Sequence, residues 1–127
     1  MMSDKRPLSP HLQIYKPQLT SFLSILHRAT GFALSVGSLA LVFWIVSLAK
    51  GGDSLVMVHS FWSSIFGKLF LLGWLFCFVY HFYNGIRHLF WDVNLLLDID
   101  GVYKSGWAVV GLTAVTTIGI WLIGGGF

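Results

Sequence analysis

Three long apolar runs separated by short polar stretches set the pattern of this chain. They extend from Ala29 to Ala49, from Leu69 to Ile86 and from Trp107 to Phe127, and none contains a Lys, Arg, Asp or Glu. Each is long enough to cross a bilayer as a helix, which takes about 20 residues. With their polar-flanked ends, the predicted transmembrane helices cover 22–49, 62–91 and 105–127. Thr20 or Ser21 is positioned to cap the first. Gly51-Gly52-Asp53 marks a turn in the first connection, and Phe61 and Trp62 form an interfacial belt ahead of the second helix. Asp92, Asp98, Asp100 and Gly101 mark the second connection. All three prolines fall within residues 1–20, so that stretch is expected to be irregular and to lie on the membrane surface, with His11 and Tyr15 available to a soluble partner. The expected fold is all-α: a single domain, 1–127, built as an integral membrane bundle of three transmembrane helices behind an irregular N-terminal surface segment.

Composition removes the soluble alternatives. Of the 127 residues, 56% are hydrophobic, 17% aromatic and only 10% charged, and the mean hydropathy is +0.77. The net charge of +3 does not point to nucleic acid, because the cations are spread along the chain instead of clustered. Their placement orients the bundle. Lys5, Arg6, Lys16, Arg28, Arg87 and Lys104 flank the start of the first helix and the second connection, whereas the first connection holds only Lys50 and Lys68. By the positive-inside rule the N-terminus and the second connection face the cytoplasm. The start of the chain reads neither as a signal peptide nor as a transit peptide, since Asp4 and the prolines stand where an apolar or Arg-rich segment would be. Cys77 is the only cysteine, which excludes an internal disulfide and any iron–sulfur or zinc site made of this chain's thiols alone. It is expected to be a buried structural thiol.

The chemistry concentrates at the predicted inner edge. His81 sits in the second apolar run about one and a half turns before Arg87, where an ionisable side chain is costly and carries a functional presumption. His88 follows seven residues later, about 10 Å along the axis and only ~20° round it, so both imidazoles share a face with Gly85 between them. That gap would let a flat, rigid group approach the backbone. Asp92, four residues after His88, is placed to fix its tautomer or charge. In the first helix, Ser24, His27, Arg28 and Gly31 line one side at spacings of three and four, suited to a polar headgroup or to carboxylates. The plainer readings are a hydrogen-bonded His81 and an Arg28 that snorkels to lipid phosphates. His59 is expected to be solvated near the outer interface. Gly31, Ser35 and Ser38 suggest close helix packing, and the third helix offers packing only.

Arg6 to Tyr15, Ser24 to Gly31, and His81 to Leu89 with Asp92 resemble, in order, spacing and three-span layout, the cytochrome b membrane-anchor subunit of succinate dehydrogenase, respiratory complex II, the larger of its two anchors. The resemblance implies a subunit that passes electrons from succinate oxidation to ubiquinone in the respiratory chain and the tricarboxylic acid cycle, with no succinate-oxidising site of its own. It implies His81 as an axial ligand of haem b iron, the other ligand coming from a second small anchor subunit. His27, Arg28, Arg87 and His88 would surround the haem propionates, and Ser24 and Arg28 would line the ubiquinone pocket. The flavoprotein and iron–sulfur subunits would carry FAD and the iron–sulfur clusters. The place would be a bacterial inner membrane, with the mitochondrial inner membrane as the alternative. The alternatives are a haem-free helical anchor or assembly scaffold, and a di-haem cytochrome b, which would need paired deep histidines where only His81 is deep.

Overall fold

The computed structural model describes residues 17–125, so the N-terminal segment with His11 and Tyr15, the cations before Pro17, and Phe127 lie outside the described residues. Four helices follow in order: α1 Leu19–Lys50, α2 Gly52–Ser63, α3 Ile65–Asp92 and α4 Ile99–Ile123. The three long ones are apolar enough to cross a membrane, in agreement with the expected bundle. α1, at 32 residues, is about 48 Å long, more than the hydrocarbon layer requires, so it tilts or projects beyond it.

The boundaries differ from the expected ones for local reasons. α1 begins at Leu19 behind Gln18, so neither Thr20 nor Ser21 is the cap. The first connection is not a loop. Gly51 and Gly52, at φ +64° and +56°, break the chain direction for two residues, and the short helix α2 fills the rest. Lys50 in the last turn of α1 and Asp53 in the first turn of α2 each complement the local helix dipole. Trp62 therefore belongs to α2, and α3 starts where the Ser64 hydroxyl accepts the Gly67 N–H at 3.2 Å. A Cβ on Gly67 would collide with the Phe61 carbonyl, so glycine sets this junction. α4 starts six residues earlier than expected because Asp98 caps it, accepting the Gly101 N–H at 2.9 Å. The tight α3–α4 connection holds Asn94 and Leu96 at positive φ and is tied by the Trp91 indole N–H donating to the Leu96 carbonyl at 3.1 Å.

α3 packs most extensively, against both α1 and α4, which also touch each other at Gly106. Its Tyr80 packs with Leu23 of α1 and Val109 of α4, and the Tyr80 hydroxyl donates to the Leu23 carbonyl at 2.7 Å. Tyr83 meets Thr116 of α4 at 3.0 Å. Close approach is granted by glycines: Gly106 lies under Leu19 and Leu23, Gly37 under the Trp74 indole, and Gly31 under the His81 ring. Ser35 and Ser38, expected at a helix contact, are exposed and bond to carbonyls of their own helix. Cys77 is half-buried, not fully enclosed. Leu19, Arg87 and Gly106 meet at one end, so the start of α1 and the α3–α4 connection share a membrane edge.

The glycine seats can be tested in pairs. A Cβ at Gly37 runs into the Trp74 indole, whereas a Cβ at Gly73 meets open space. Gly37→Ala should cost about 1–3 kcal/mol through overpacking, and Gly73→Ala should be neutral or slightly stabilising. Thermal denaturation of the purified protein carrying either change reads the difference.

Candidate functional site

The site is built at the α1–α3 seam, about two turns inside the edge just described. His81 Nδ1 lies 3.1 Å from the His27 carbonyl and 3.3 Å from Thr30 Oγ1, both on α1. A carbonyl can only accept. Thr30 directs its own proton to the Leu26 and His27 carbonyls, both at 2.9 Å, and so presents a lone pair to the ring. Nδ1 therefore carries the imidazole proton, and Nε2 keeps its lone pair with no hydrogen-bond partner among the described residues. A backbone acceptor that fixes one ring nitrogen and leaves the other free is the arrangement found behind metal-ligating histidines.

Gly31 makes this seating possible. A Cβ there would lie 2.9 Å from His81 Cε1, closer than real contacts allow, so the ring rests directly on the α1 backbone. The ring also stacks on His27, with centroids 3.9 Å apart and planes 7° from parallel. His27 also meets His88, at 5.1 Å and 44°, and His88 is edge-on to Trp91 at 5.0 Å. The expected common face of His81 and His88 is thus present. The notch over Gly85 is filled by the His27 ring, 3.8 Å from where a Cβ would stand. His27 Nδ1 is buried without a hydrogen-bond partner, a donor or acceptor left for something outside this chain's described residues.

Ser24 and Arg28 also come together. Arg28 Nη2 donates to Ser24 Oγ at 3.3 Å, and the guanidinium is exposed. With its oxygen occupied as an acceptor, the Ser24 hydroxyl keeps its own proton for an outside carbonyl. Positive charge, hydroxyl and the orphan His27 nitrogen lie within one turn of α1.

Arg87 takes a different direction. It is only 3% exposed and turns towards α4, where Nε donates to Ser105 Oγ at 2.9 Å and Nη2 to the Val102 carbonyl at 2.9 Å. Nη1 reaches Asn84 Oδ1 at 3.4 Å, and the guanidinium lies over Trp91 at 4.1 Å. α4, expected to pack only, supplies these acceptors. Asn84 is fully buried beside it, with its amide nitrogen unpartnered. His59 is exposed, as expected, but lines an apolar cleft of about 290 Å³ with Trp44, Trp62 and Trp74 near the opposite edge, far from the histidine cluster.

Of the residues expected from the sequence, the structure brings His81, His27 and His88 together and pairs Ser24 with Arg28, while the part of Thr30 and Gly31 in holding His81 was not expected. Thr30 has the signal of a hydroxyl three residues after His27, on the same helical face. The seat at Gly31 had no signal beyond a small residue, since only the inter-helix register shows which ring lies on it.

Residues 2–120 match the family model described as succinate dehydrogenase/fumarate reductase transmembrane subunit. The chain is 44% identical over 119 residues to the succinate dehydrogenase cytochrome b556 subunit of Rickettsia bellii, covering 94% of this chain and 93% of the relative. It is 40% identical over 114 residues to the cytochrome b560 subunit of the liverwort Marchantia polymorpha, covering 83% and 80%. The mitochondrial cytochrome B subunit of Schizosaccharomyces pombe is 40% identical over 120 residues, 88% of this chain and 65% of that one. The family match and the extent of these identities, carried by a three-span helical bundle, make this chain a member of the succinate dehydrogenase cytochrome b subunit family.

Proposed function

We propose that this chain is the larger membrane anchor of a bacterial succinate:quinone oxidoreductase and that it holds haem b and ubiquinone at the histidine end of the bundle. The observation that carries the reading is the state of His81, whose Nδ1–H is held by the His27 carbonyl while Nε2 is left with a lone pair. The donor set fits a b-type haem. His81, with a neutral imidazole nitrogen to offer, would hold the iron, and His27 Nδ1, buried and unpartnered, would meet a propionate oxygen. Held there, haem b supplies a reversible one-electron store. His27, Arg28 and His88 would face the propionates, with Arg87 adding positive potential from the adjacent turn and not a direct bond. The chain offers one deep ligand, so a second small anchor subunit supplies the other. FAD and the iron–sulfur clusters belong to the flavoprotein and iron–sulfur subunits that this anchor holds at the membrane.

Ser24 and Arg28 form the quinone end of the site. The Ser24 hydroxyl donates to a quinone carbonyl, and Arg28 withdraws electron density from the same oxygen through its bond to Ser24 Oγ. Negative charge grows on that oxygen as the quinone is reduced, so the guanidinium stabilises the reducing state more than the neutral one. The exposure of Arg28 gives protons a path from water. A haem-free scaffold draws on the same His81–His27 bond and differs only in leaving Nε2 without a task.

Three measurements test the reading. In the assembled complex, His81→Ala should abolish the b-type reduced-minus-oxidised spectrum and His59→Ala should leave it intact. Gly31→Val, which pushes the ring off its seat, should shift or weaken the spectrum, and an unchanged spectrum in His81→Ala sinks the haem assignment. Ser24→Ala and Arg28→Leu should lower succinate-driven quinone reduction by roughly 10²-fold, the scale of losing one oxyanion-type donor, with succinate oxidation by an artificial acceptor unchanged. Full activity in Ser24→Ala and Arg28→Lys would assign Arg28 to lipid anchoring. For orientation, Leu95→Cys should label from the cytoplasmic side and Asp53→Cys from the other, since the cations gather at the first edge.

A further inference from the structure

The His81 Nδ1–H is offered two acceptors where one would do. The His27 carbonyl, at 3.1 Å, fixes the tautomer by itself, because a carbonyl can only accept. Thr30 Oγ1, at 3.3 Å, presents a second acceptor to the same proton. Nor does Thr30 need the ring. It is only 3% exposed, and its hydroxyl is already satisfied by the Leu26 and His27 carbonyls of its own helix, both at 2.9 Å. Ser35, Ser38 and Ser47 place their hydroxyls on α1 carbonyls in the same way. Thr30 differs from them in reaching a side chain of α3 as well. Its contact with His81 is therefore surplus to the burial of the hydroxyl and to the choice of tautomer, and what remains for it to change is the ring itself.

Two properties of the ring respond. A hydrogen bond given by Nδ1–H moves electron density towards Nε2 and raises its basicity as a ligand. Because the Thr30 hydroxyl donates to a carbonyl, its oxygen is polarised into a better acceptor, and at a dry helix seam such a bond counts for more than it would in water. The Leu26 carbonyl, four residues back, is the ordinary helical acceptor for the Thr30 proton, which leaves the His27 carbonyl available to the ring. Two acceptors at separate points also define the ring plane more narrowly than one, together with the Gly31 seat and the His27 stack.

We propose that Thr30 is a positioning residue that sets the donor strength and the ring plane of His81, and thereby lowers the reduction potential of the haem that His81 would hold. The inference rests on the haem reading above and deepens it, since a more electron-rich Nε2 favours oxidised over reduced iron.

The test uses the assembled complex, with redox titration of the b-type absorbance and electron paramagnetic resonance of the oxidised form as readouts. Thr30→Val keeps the shape of the side chain and removes its oxygen. It should retain haem and raise the ratio of reduced to oxidised haem at a fixed ambient potential by roughly three- to tenfold, tenfold being about 59 mV for one electron. The low-spin g-values, which follow the ring plane, should shift with it. Thr30→Ser keeps the hydroxyl and should stay at the wild-type potential and g-values, and Ser38→Ala, on the exposed side of the same helix, should move neither. A packing role for Thr30 predicts the opposite order, because Ser leaves a methyl-sized gap and Val leaves none. Should the Thr30→Val complex hold no haem, Thr30→Ala takes its place, with a shift expected in Ala and none in Ser. Loss of haem in His81→Ala combined with a wild-type potential and g-values in the variant lacking the hydroxyl overturns this proposal alone, as do equal shifts with and without the hydroxyl. An unchanged spectrum in His81→Ala overturns it together with the haem reading.

Discussion

The seating of one imidazole on one glycine governs the functional end of this bundle. His81 can reach the His27 carbonyl only because Gly31 lets its ring lie against the α1 backbone. That contact sets the α1–α3 separation, and the separation brings His27 into stacking distance and places His88 behind it. The tautomer follows from the same contact, since a backbone carbonyl leaves Nδ1 no role except donor. A cross-helix bond that satisfies only half of a polar side chain is a poor device for stability alone, because bonds of this kind in membrane bundles average less than about 1 kcal/mol. It is a good device for presenting the other half.

The bundle is thinly packed for its length. Within the most apolar windows of the three long helices only 11%, 17% and 22% of residues are buried. Lipid tails are as apolar as leucine, so burial does not drive these helices together, and association rests on close approach and polar contacts. Both occur where they are needed. Gly106, Gly37 and Gly31 allow approach, and Tyr80, Tyr83, His81 and Arg87 each cross to a neighbour. All four lie in the half of α3 that carries the histidines, so rigidity is concentrated there and the wide apolar exterior is left for lipid and partner chains.

Much of this was legible in the sequence, and the limits have physical causes. The three spans are composition effects over about 20 residues and could hardly be missed. The common face of His81 and His88 follows from helical period alone. The short helix α2 was hidden because Gly51 and Gly52 read as the start of a loop, when they turn the chain for two residues and release it into a new helix. Ser35 and Ser38 looked like packing residues because they are small, yet a hydroxyl can bond its own helix and face outwards, whereas Gly37 carries nothing and lies under Trp74. Arg87 was read as a group for a bound anion at the histidine face. Its actual direction depends on Ser105 and Val102, fifteen and more residues away and fixed only by how α4 starts at Asp98.

That last dependence joins the two sides of α3. Between His81 and His88, which face α1, lie Asn84 and Arg87, which face the interior and α4. A rotation of α3 that improved one set of contacts would spoil the other, so the helix is held in register from both sides. Asp98 contributes from a distance: by capping α4 it fixes the turn whose Val102 carbonyl and Ser105 hydroxyl receive Arg87. The orientation of the half-buried His81 imidazole is thus secured by a polar chain that begins at the membrane surface. It runs through the loop cap, the guanidinium and the turn of α3 between them, which is how a loop with no ligand of its own comes to matter for the site.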